Sequence, residues 1–440
     1  MVRLLTFLLV LIATAAASVS AWAQAPLSVV DAVSRARARN PGARAAAALA
    51  LEAEARVTRA RGGYLPRVDV SESWQRGNQP VFVFSALLSQ RRFGAADFAL
   101  DALNHPAAIG SFRAGATIEQ PLFSPAARAA VAAARAAGEI AALGATEVQQ
   151  DLAVAVTSAY GRVLLTSARM EAAAGAVAAA DADRARAAAR RDAGLVTDAD
   201  VLQLDMYLSR AKASEIDACA DERIARAELN ALMGEPLDLE FALAPLAPRA
   251  SDAFDLGSLE AEAIAGRTEV QAAIQYERIA RAAEASARAA FLPQLSAHGG
   301  WELNGGDFQT RASSWVAGIT ARVNVFNGFA DRARLAEARA QAGRRAIERE
   351  RAETAVRLDI RTAAARIDSA RARIDTARAA LAQAREARRI IRDRYENGLA
   401  GIADLLAAAR AEEEAATARL SAEIDLAVAA AALHRALGRP

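Results

Sequence analysis

The sequence predicts a mainly α-helical chain with a small β part, built twice from one unit: helix, β-hairpin, long helix, return helix. Three observations predict it. An apolar seam with a seven-residue period occurs twice, each half contains segments that alternate apolar and polar side chains, and the Pro and Gly punctuation of the first half returns in the second.

The seam is clearest in the second half. Ile360, Ile367, Ile374 and Leu381 fall seven apart, and Ala363, Ala370, Ala377 and Ala384 follow each of them by three. Shifting back by 204 gives Val156, Val163, Met170 and Val177, followed by Ala159, Thr166, Ala173 and Ala180. A 3.5-residue apolar period winds a helix left-handed around a neighbour, and alanine at alternate seam positions lets the backbones approach closely. The seams belong to helical stretches over residues 124–191 and 328–395, each about 100 Å long at ~1.5 Å per residue.

Each long helix ends at a glycine turn, Gly194-Leu195-Val196-Thr197 or Gly398-Leu399-Ala400-Gly401, before return helices over 198–233 and 402–437. Upstream, a helical stretch over 27–64 breaks at Asn40-Pro41-Gly42 and stops at Leu65-Pro66; its counterpart breaks near Arg267 and stops at Phe291-Leu292-Pro293. Proline cannot donate to a helix ladder and pushes its predecessor toward extended backbone, so strands are expected to begin at both places. The repeats are therefore 24–234 and 258–440, joined by a linker over 235–257 that carries Pro236, Pro245 and Pro248.

The β-hairpins are expected within 66–119 and 294–325. Phe112, Ala114, Ala116 and Ile118 alternate with Arg113, Gly115, Thr117 and Glu119; Leu295, Ala297, Gly299, Trp301 and Leu303 form a second apolar row, and alternate residues from Trp315 to Val325 a third. Residues 67–75 are less regular, since Glu72 interrupts Val68, Val70 and Trp74. Such segments, with Trp near an end, fit transmembrane strands with lipid outside and water inside; a small soluble β-subdomain shows the same alternation. The first hairpin carries a long insertion, residues 76–111, expected as an external loop.

Composition narrows the functions. Hydrophobic residues make up 53% but aromatics only 5%, the balance of long alanine-rich helices rather than compact cores. A net charge of +2 points to no polyanion, so nucleic acid is not an expected partner. Arg3, the apolar run over 4–17 and Ala21-Trp22-Ala23 read as a signal peptide over 1–23. Cys219 is the only cysteine, which rules out an intrachain disulfide. After the leader no stretch reaches the roughly 20 uninterrupted apolar residues of a spanning helix. His105, His298 and His434 are scattered, without metal-ligand spacing, and no glycine-rich phosphate loop occurs. No enzymatic chemistry, cofactor or metal is expected.

Counting decides the architecture further. Four strands cannot close a membrane barrel, because eight is about the smallest number and an open edge in lipid leaves backbone groups unpartnered. Several copies must combine: two would give eight strands, three would give twelve.

The duplicated order of elements, Leu65-Pro66 with Phe291-Leu292-Pro293-Gln294, Glu119-Gln120-Pro121-Leu122-Phe123, and Gly194-Leu195-Val196-Thr197 followed by Asp200-Val201-Leu202 resemble the TolC-type outer-membrane efflux proteins over nearly the whole mature chain. The resemblance implies a homotrimer with a 12-stranded β-barrel in outer-membrane lipid, continuing into an α-helical coiled-coil barrel across the periplasm. It also implies docking to a periplasmic adaptor (membrane fusion) protein and an inner-membrane pump, as the passive exit duct of a tripartite efflux or type I secretion system. The chain departs from the family in having Thr268 where a proline commonly follows the arginine. Without the resemblance, a periplasmic coiled-coil adaptor or scaffold that never enters a membrane is the other reading.

Site residues follow from the same resemblance. Gly194, Leu195, Val196 and Thr197, with Gly398 and Leu399, sit where the family offers adaptor-docking turns; plain helix C-caps are the competing account. Asp404 resembles the first of two aspartates that ring the closed periplasmic aperture in the best-known member, with Ala407 at the second position. Three carboxylates around an axis would repel one another, attract cations and pair with Arg394 or Arg392 in a closed state. Tyr395 is a further constriction candidate; for Asp404 the competing account is a solvated helix face.

Overall fold

The computed structural model describes residues 26–194, 197–246, 255–397 and 399–439. The expected signal peptide over 1–23 and the tip residues Leu195, Val196 and Gly398 lie outside the described residues.

The first repeat runs α1 (Val29–Arg39), α2 (Pro41–Arg61), a 3-10 turn (Gly62–Tyr64), β1 (Arg67–Gly77), α3 (Pro80–Ser89), a second 3-10 turn (Ala95–Phe98), α4 (Leu100–Asn104), β2 (Ile109–Phe123), α5 (Pro125–Asp192) and α6 (Asp198–Met233). The second runs α7 (Leu256–Gly266), α8 (Thr268–Ala289), β3 (Gln294–Gly305), β4 (Ala312–Arg322), α9 (Ala330–Glu396) and α10 (Ile402–Ala436). The chain forms two compact units, Met1–Ala47 with Gly144–Thr268 and Thr354–Pro440, and Ala48–Leu143 with Glu269–Glu353.

In the first unit the heptad seams are spent on helix packing, as their period requires. Val156 and Val163 are fully buried in one copy and Ile360 in the other, and Thr166, Ala173, Ala180, Ile367, Ala370, Ile374 and Leu381 are buried with them. Ala32 and Ala36 of α1 and Leu229 and Met233 of α6 close the core around Tyr160. The Tyr160 hydroxyl sits between two carbonyl oxygens, Leu27 at 2.7 Å and Ala244 at 2.6 Å. Burial pushes it up to about 12, against the backbone hydrogen bond to Ala244. The linker is thus held as far as it is described: Leu27 N donates to Ala242 O and Ala244 N to Leu27 O, while Asn230 Nδ2 donates to Leu237 and Leu239 carbonyls at 3.1 and 2.9 Å.

The duplication is visible in two glycines. Gly234 and Gly438, at the ends of α6 and α10, both have positive φ, 69° and 71°. A Cβ would stand 2.7 Å from Arg39 O at the first and 2.5 Å from Gly266 O at the second. Each return helix therefore ends against the end of its own repeat's first short helix, an approach only glycine permits.

In the second unit four strands form one antiparallel sheet in the order β1-β2-β3-β4. Three sequence expectations are corrected here. The break between α1 and α2 is Asn40 alone, because Pro41 sits at the start of α2 and the Asn40 side chain caps it, accepting from Gly42 N at 2.8 Å. Strand β2 extends to Phe123, pairing Gln120 with Ala297 and Pro121 with Ser296 before a register shift; β4 stops at Arg322, opposite Gln294 where β3 begins, so Val323 and Val325 fall outside it. The insertion over 76–111 is not an open loop: its ends belong to β1 and β2 and it contains α3 and α4. Residues 80–89 are apolar all round, so no amphipathic period announced that helix.

Candidate functional site

Two places in the chain can carry function: the faces and edges of the sheet, and the turns that join the long helices to their return helices.

The sheet has one apolar and one polar face. Cross-strand neighbours share a face, and the register sets Val68 beside Ile118, Val70 beside Ala116, and Trp74 beside Phe112, then Ala116 beside Trp301 and Trp301 beside Trp315. These side chains are exposed: Val70 at 81%, Trp315 at 79%, Ile319 at 69%. The opposite face carries Arg67, Asp69, Arg113, Glu119, His298 and Glu302. Arg67 pairs with Asp69 at 2.8 Å, and Arg113 pairs with Glu302. An apolar row this long facing outward is unstable in water. Alanine also makes α5, alone among the described helices, long and apolar enough by composition to cross a bilayer. Length therefore does not separate helix from strand as the spanning element; the two-faced sheet does. β1 and β4 are its edges, and each presents unpaired backbone groups.

Glu72, the residue that interrupts the apolar row of β1, has its own partner. Arg311 binds it through both terminal nitrogens at 3.1 and 3.2 Å, and its guanidinium lies 4.1 Å from the centre of the Phe308 ring. Phe308 in turn packs against Phe112 at 5.3 Å.

At the first turn, Gly194 takes φ +74° and donates to Arg191 O at 2.8 Å. Thr197 caps α6: its hydroxyl oxygen accepts from Asp200 N at 3.3 Å, and Asp200 Oδ2 accepts from Thr197 N at 2.9 Å. Hydrogen bonds donated to that carboxylate by the Thr197 backbone N–H and by its hydroxyl, the latter at 2.7 Å, hold the Asp200 carboxyl below the usual carboxylate range. At the second turn Leu399 N donates to Arg394 O at 2.8 Å, and Leu399 is 68% exposed. Asp404 caps α10 by accepting from Gly401 N at 3.1 Å. Ala187, Val201 and Leu204 pack with Ile402, which brings the two turns side by side.

Beside them lies a groove of about 750 Å³ lined by Tyr395, Arg392, Arg388, Tyr207, Arg410 and Glu412 among others. Arg388 pairs with Glu412 at 2.8 Å, and Arg410 lies 5.5 Å from the Tyr207 ring centre. Two of the aperture candidates, Tyr395 and Arg392, thus face this groove. The other two are engaged by the turn: Asp404 by the Gly401 backbone, and Arg394 through a 3.4 Å contact from Nη2 to Leu399 O. Neither Glu412 nor Arg388 is among the residues that the sequence singles out. Both lie twelve residues from Ala400, and mirror positions about a helical turn are natural neighbours, so the signal was present. Among the described residues no group of three or more His, Cys, Asp or Glu side chains is placed to hold a metal ion.

The sequence matches the family described as "Outer membrane efflux protein" over residues 32–235 and 259–439. Protein CyaE of Bordetella pertussis is 29% identical over 299 residues, which cover 66% of this chain and 63% of that protein, so the chain spans under two thirds of the curated relative it matches. The crystal structure of the Campylobacter jejuni CmeC outer membrane channel superposes with TM-score 0.79 at 16% identity, covering 93% of this chain and 85% of that one. The open state of the Neisseria gonorrhoeae MtrE outer membrane channel does so with TM-score 0.75 at 20% identity, covering 93% and 89%. At those identities the structural likenesses establish the fold, and the family match establishes the rest: this chain belongs to the outer membrane efflux protein family, and its place is the outer membrane.

Proposed function

We propose that three copies of this chain form a passive exit duct, with twelve strands closed into a barrel in the outer membrane and the helices continuing as a tunnel into the periplasm. The observation that carries this reading is the sheet: four strands, one face apolar, the other charged, and both edges open. Backbone groups at an edge cannot remain unpaired in lipid, and β4 of one copy against β1 of the next removes every edge at once. Twelve strands leave a lumen wide enough for water, which eight would fill with side chains. The reading requires no chemistry from the duct itself; an energised inner-membrane pump would supply the work through a periplasmic adaptor, in efflux or type I secretion.

On this reading the turns at Gly194, Thr197 and Leu399 are the adaptor-docking tips. Asp404 and Tyr395, with Arg392 and Arg394, form the periplasmic aperture, where three copies would gather the carboxylates near the axis. The test is direct: purified protein is reconstituted in planar bilayers and run on semi-native gels. Stepwise conductance with a heat-sensitive trimer is expected, whereas a stable monomer that passes no current would reject the duct.

A further inference from the structure

The insertion between β1 and β2 leans over the polar face of the sheet, not the apolar one. Gly77 belongs to the polar-face row of β1, and a Cβ there would meet the Phe82 ring at 3.7 Å. Gln90, which ends α3, donates to Gly110 O at 3.2 Å and accepts from Arg92 Nη1 at 3.1 Å, and both side chains crowd Gly306 at the tip of the other hairpin. Burial agrees. On the polar face Asp69, Ser71 and Ser73 are exposed, but toward the hairpin tips Ser111 and Asn304 fall to 9% and 4%.

The covering helix is itself apolar on both sides. Val83 and Ala86 are buried, while Val81, Phe84 and Leu88, spaced at one helical stripe, are exposed at 80%, 38% and 49%. Phe84 meets Phe93 edge to face, and Phe93 meets Phe98 in the same way, each with ring centres 5.0 Å apart. No residue of Pro80–Ser89 carries a charge. A helix facing bulk water would show a polar stripe there. Lipid is not the natural cover, since the aliphatic membrane-facing side chains lie on the other face of the sheet.

From this we infer that the exposed Val81, Phe84 and Leu88 stripe of α3 is covered by the same stripe of the other two copies, which makes an apolar constriction across the extracellular mouth. The inference rests on the trimeric duct proposed above. In a closed ring the polar face points to the axis, so three helices folded over that face meet there. An apolar ring narrows the pore and opposes wetting, which lowers ion conductance without any charged gate.

Two variants test it in the intact outer membrane and in bilayers. Val81→Cys in a Cys219→Ser background should give reductant-reversible, disulfide-linked dimers on mild oxidation, one pair per trimer with the third thiol left over. Val81→Ser with Leu88→Ser should raise single-channel conductance by about twofold or more. Conducting trimers that neither cross-link at position 81 nor change conductance would overturn the constriction and leave the duct standing. Labelling of Val81→Cys by a maleimide confined to the lipid phase, without cross-links, would show lipid as the cover and also overturn it. Wild-type protein that forms neither trimers nor channels would remove the duct and the constriction together.

Discussion

Arg311 reaches over the apolar face of the sheet and grips Glu72 with two nitrogens, at 3.1 and 3.2 Å. That contact explains how a carboxylate is tolerated in an otherwise apolar row: the turn after β3 sets Phe308 on Phe112 and delivers the cation. Removing Arg311 alone would leave the carboxylate uncompensated. Arg311→Ala is expected to cost about 1–2 kcal/mol, because charges on a barrel's lipid face are penalised by up to a few kcal/mol according to depth. Glu72→Ala with Arg311→Ala should recover most of it, measured as heat resistance of the assembled protein.

Tyr160 makes the first unit's stability sensitive to strong base. Its hydroxyl is raised to about 12 by burial. Below pH 10 the proton is bound in folded and unfolded chains alike, so the contribution is complete there. Between pH 10 and 12 the unfolded chain releases it while the fold retains it, and stability falls. Thermal melts across that window should show the loss in wild type and not in Tyr160→Phe. At neutral pH the Phe variant should be weaker by about 1 kcal/mol, from the lost hydrogen bond to a buried carbonyl.

At Gly161 α5 runs tight against Ile424 of α10. A Cβ at that position would collide with Ile424 Cγ2, a β-branched methyl with little freedom to move. Gly161→Ala gains up to ~1 kcal/mol of helix propensity but overpacking costs about 1–3 kcal/mol, so a net loss is expected. Adding Ile424→Ala should restore room and reverse the sign of the Gly161→Ala effect, as read from paired denaturation midpoints.

Leu399 has an exposed side chain, and its backbone N–H holds the turn by donating to Arg394 O. Leu399→Asp should therefore leave trimers and conductance intact while export through the full assembly drops at least about tenfold, the loss of an apolar hot spot at an interface. Normal export by this variant would remove the second turn from the docking surface.

Asp404 offers a choice between two roles that one measurement separates. As the third residue of α10, accepting from the N-cap Gly401 N–H, it is worth about 1 kcal/mol, and Asp404→Ser keeps a side-chain oxygen at that position. If the carboxylate also rings the aperture, Asp404→Ser should still reduce cation selectivity and block by trivalent cations. Unchanged selectivity in bilayers would confine the residue to capping.

The duplication, the heptad seams, the strand alternation and the turn positions were all legible in the chain itself. Each is a local or periodic property: Ile360 and Ile367 must share a helix face, and Trp301 and Leu303 a strand face, whatever surrounds them. What no period encodes is which distant residue completes a local oddity. Glu72 looked like a flaw in β1 until the fold brought Arg311 to it from 239 positions away. The insertion over 76–111 looked like a loop because α3, apolar on every side, has no amphipathic signature; packing over the polar face made it a helix. Asp404 could be placed at a turn from sequence, but only the folded backbone showed that its carboxylate is already engaged by Gly401. The sequence thus determined the elements and their repetition, through side-chain periodicity. The tertiary structure decided which long-range contacts satisfy the residues that break the pattern, because those contacts depend on loop paths that leave no periodic trace.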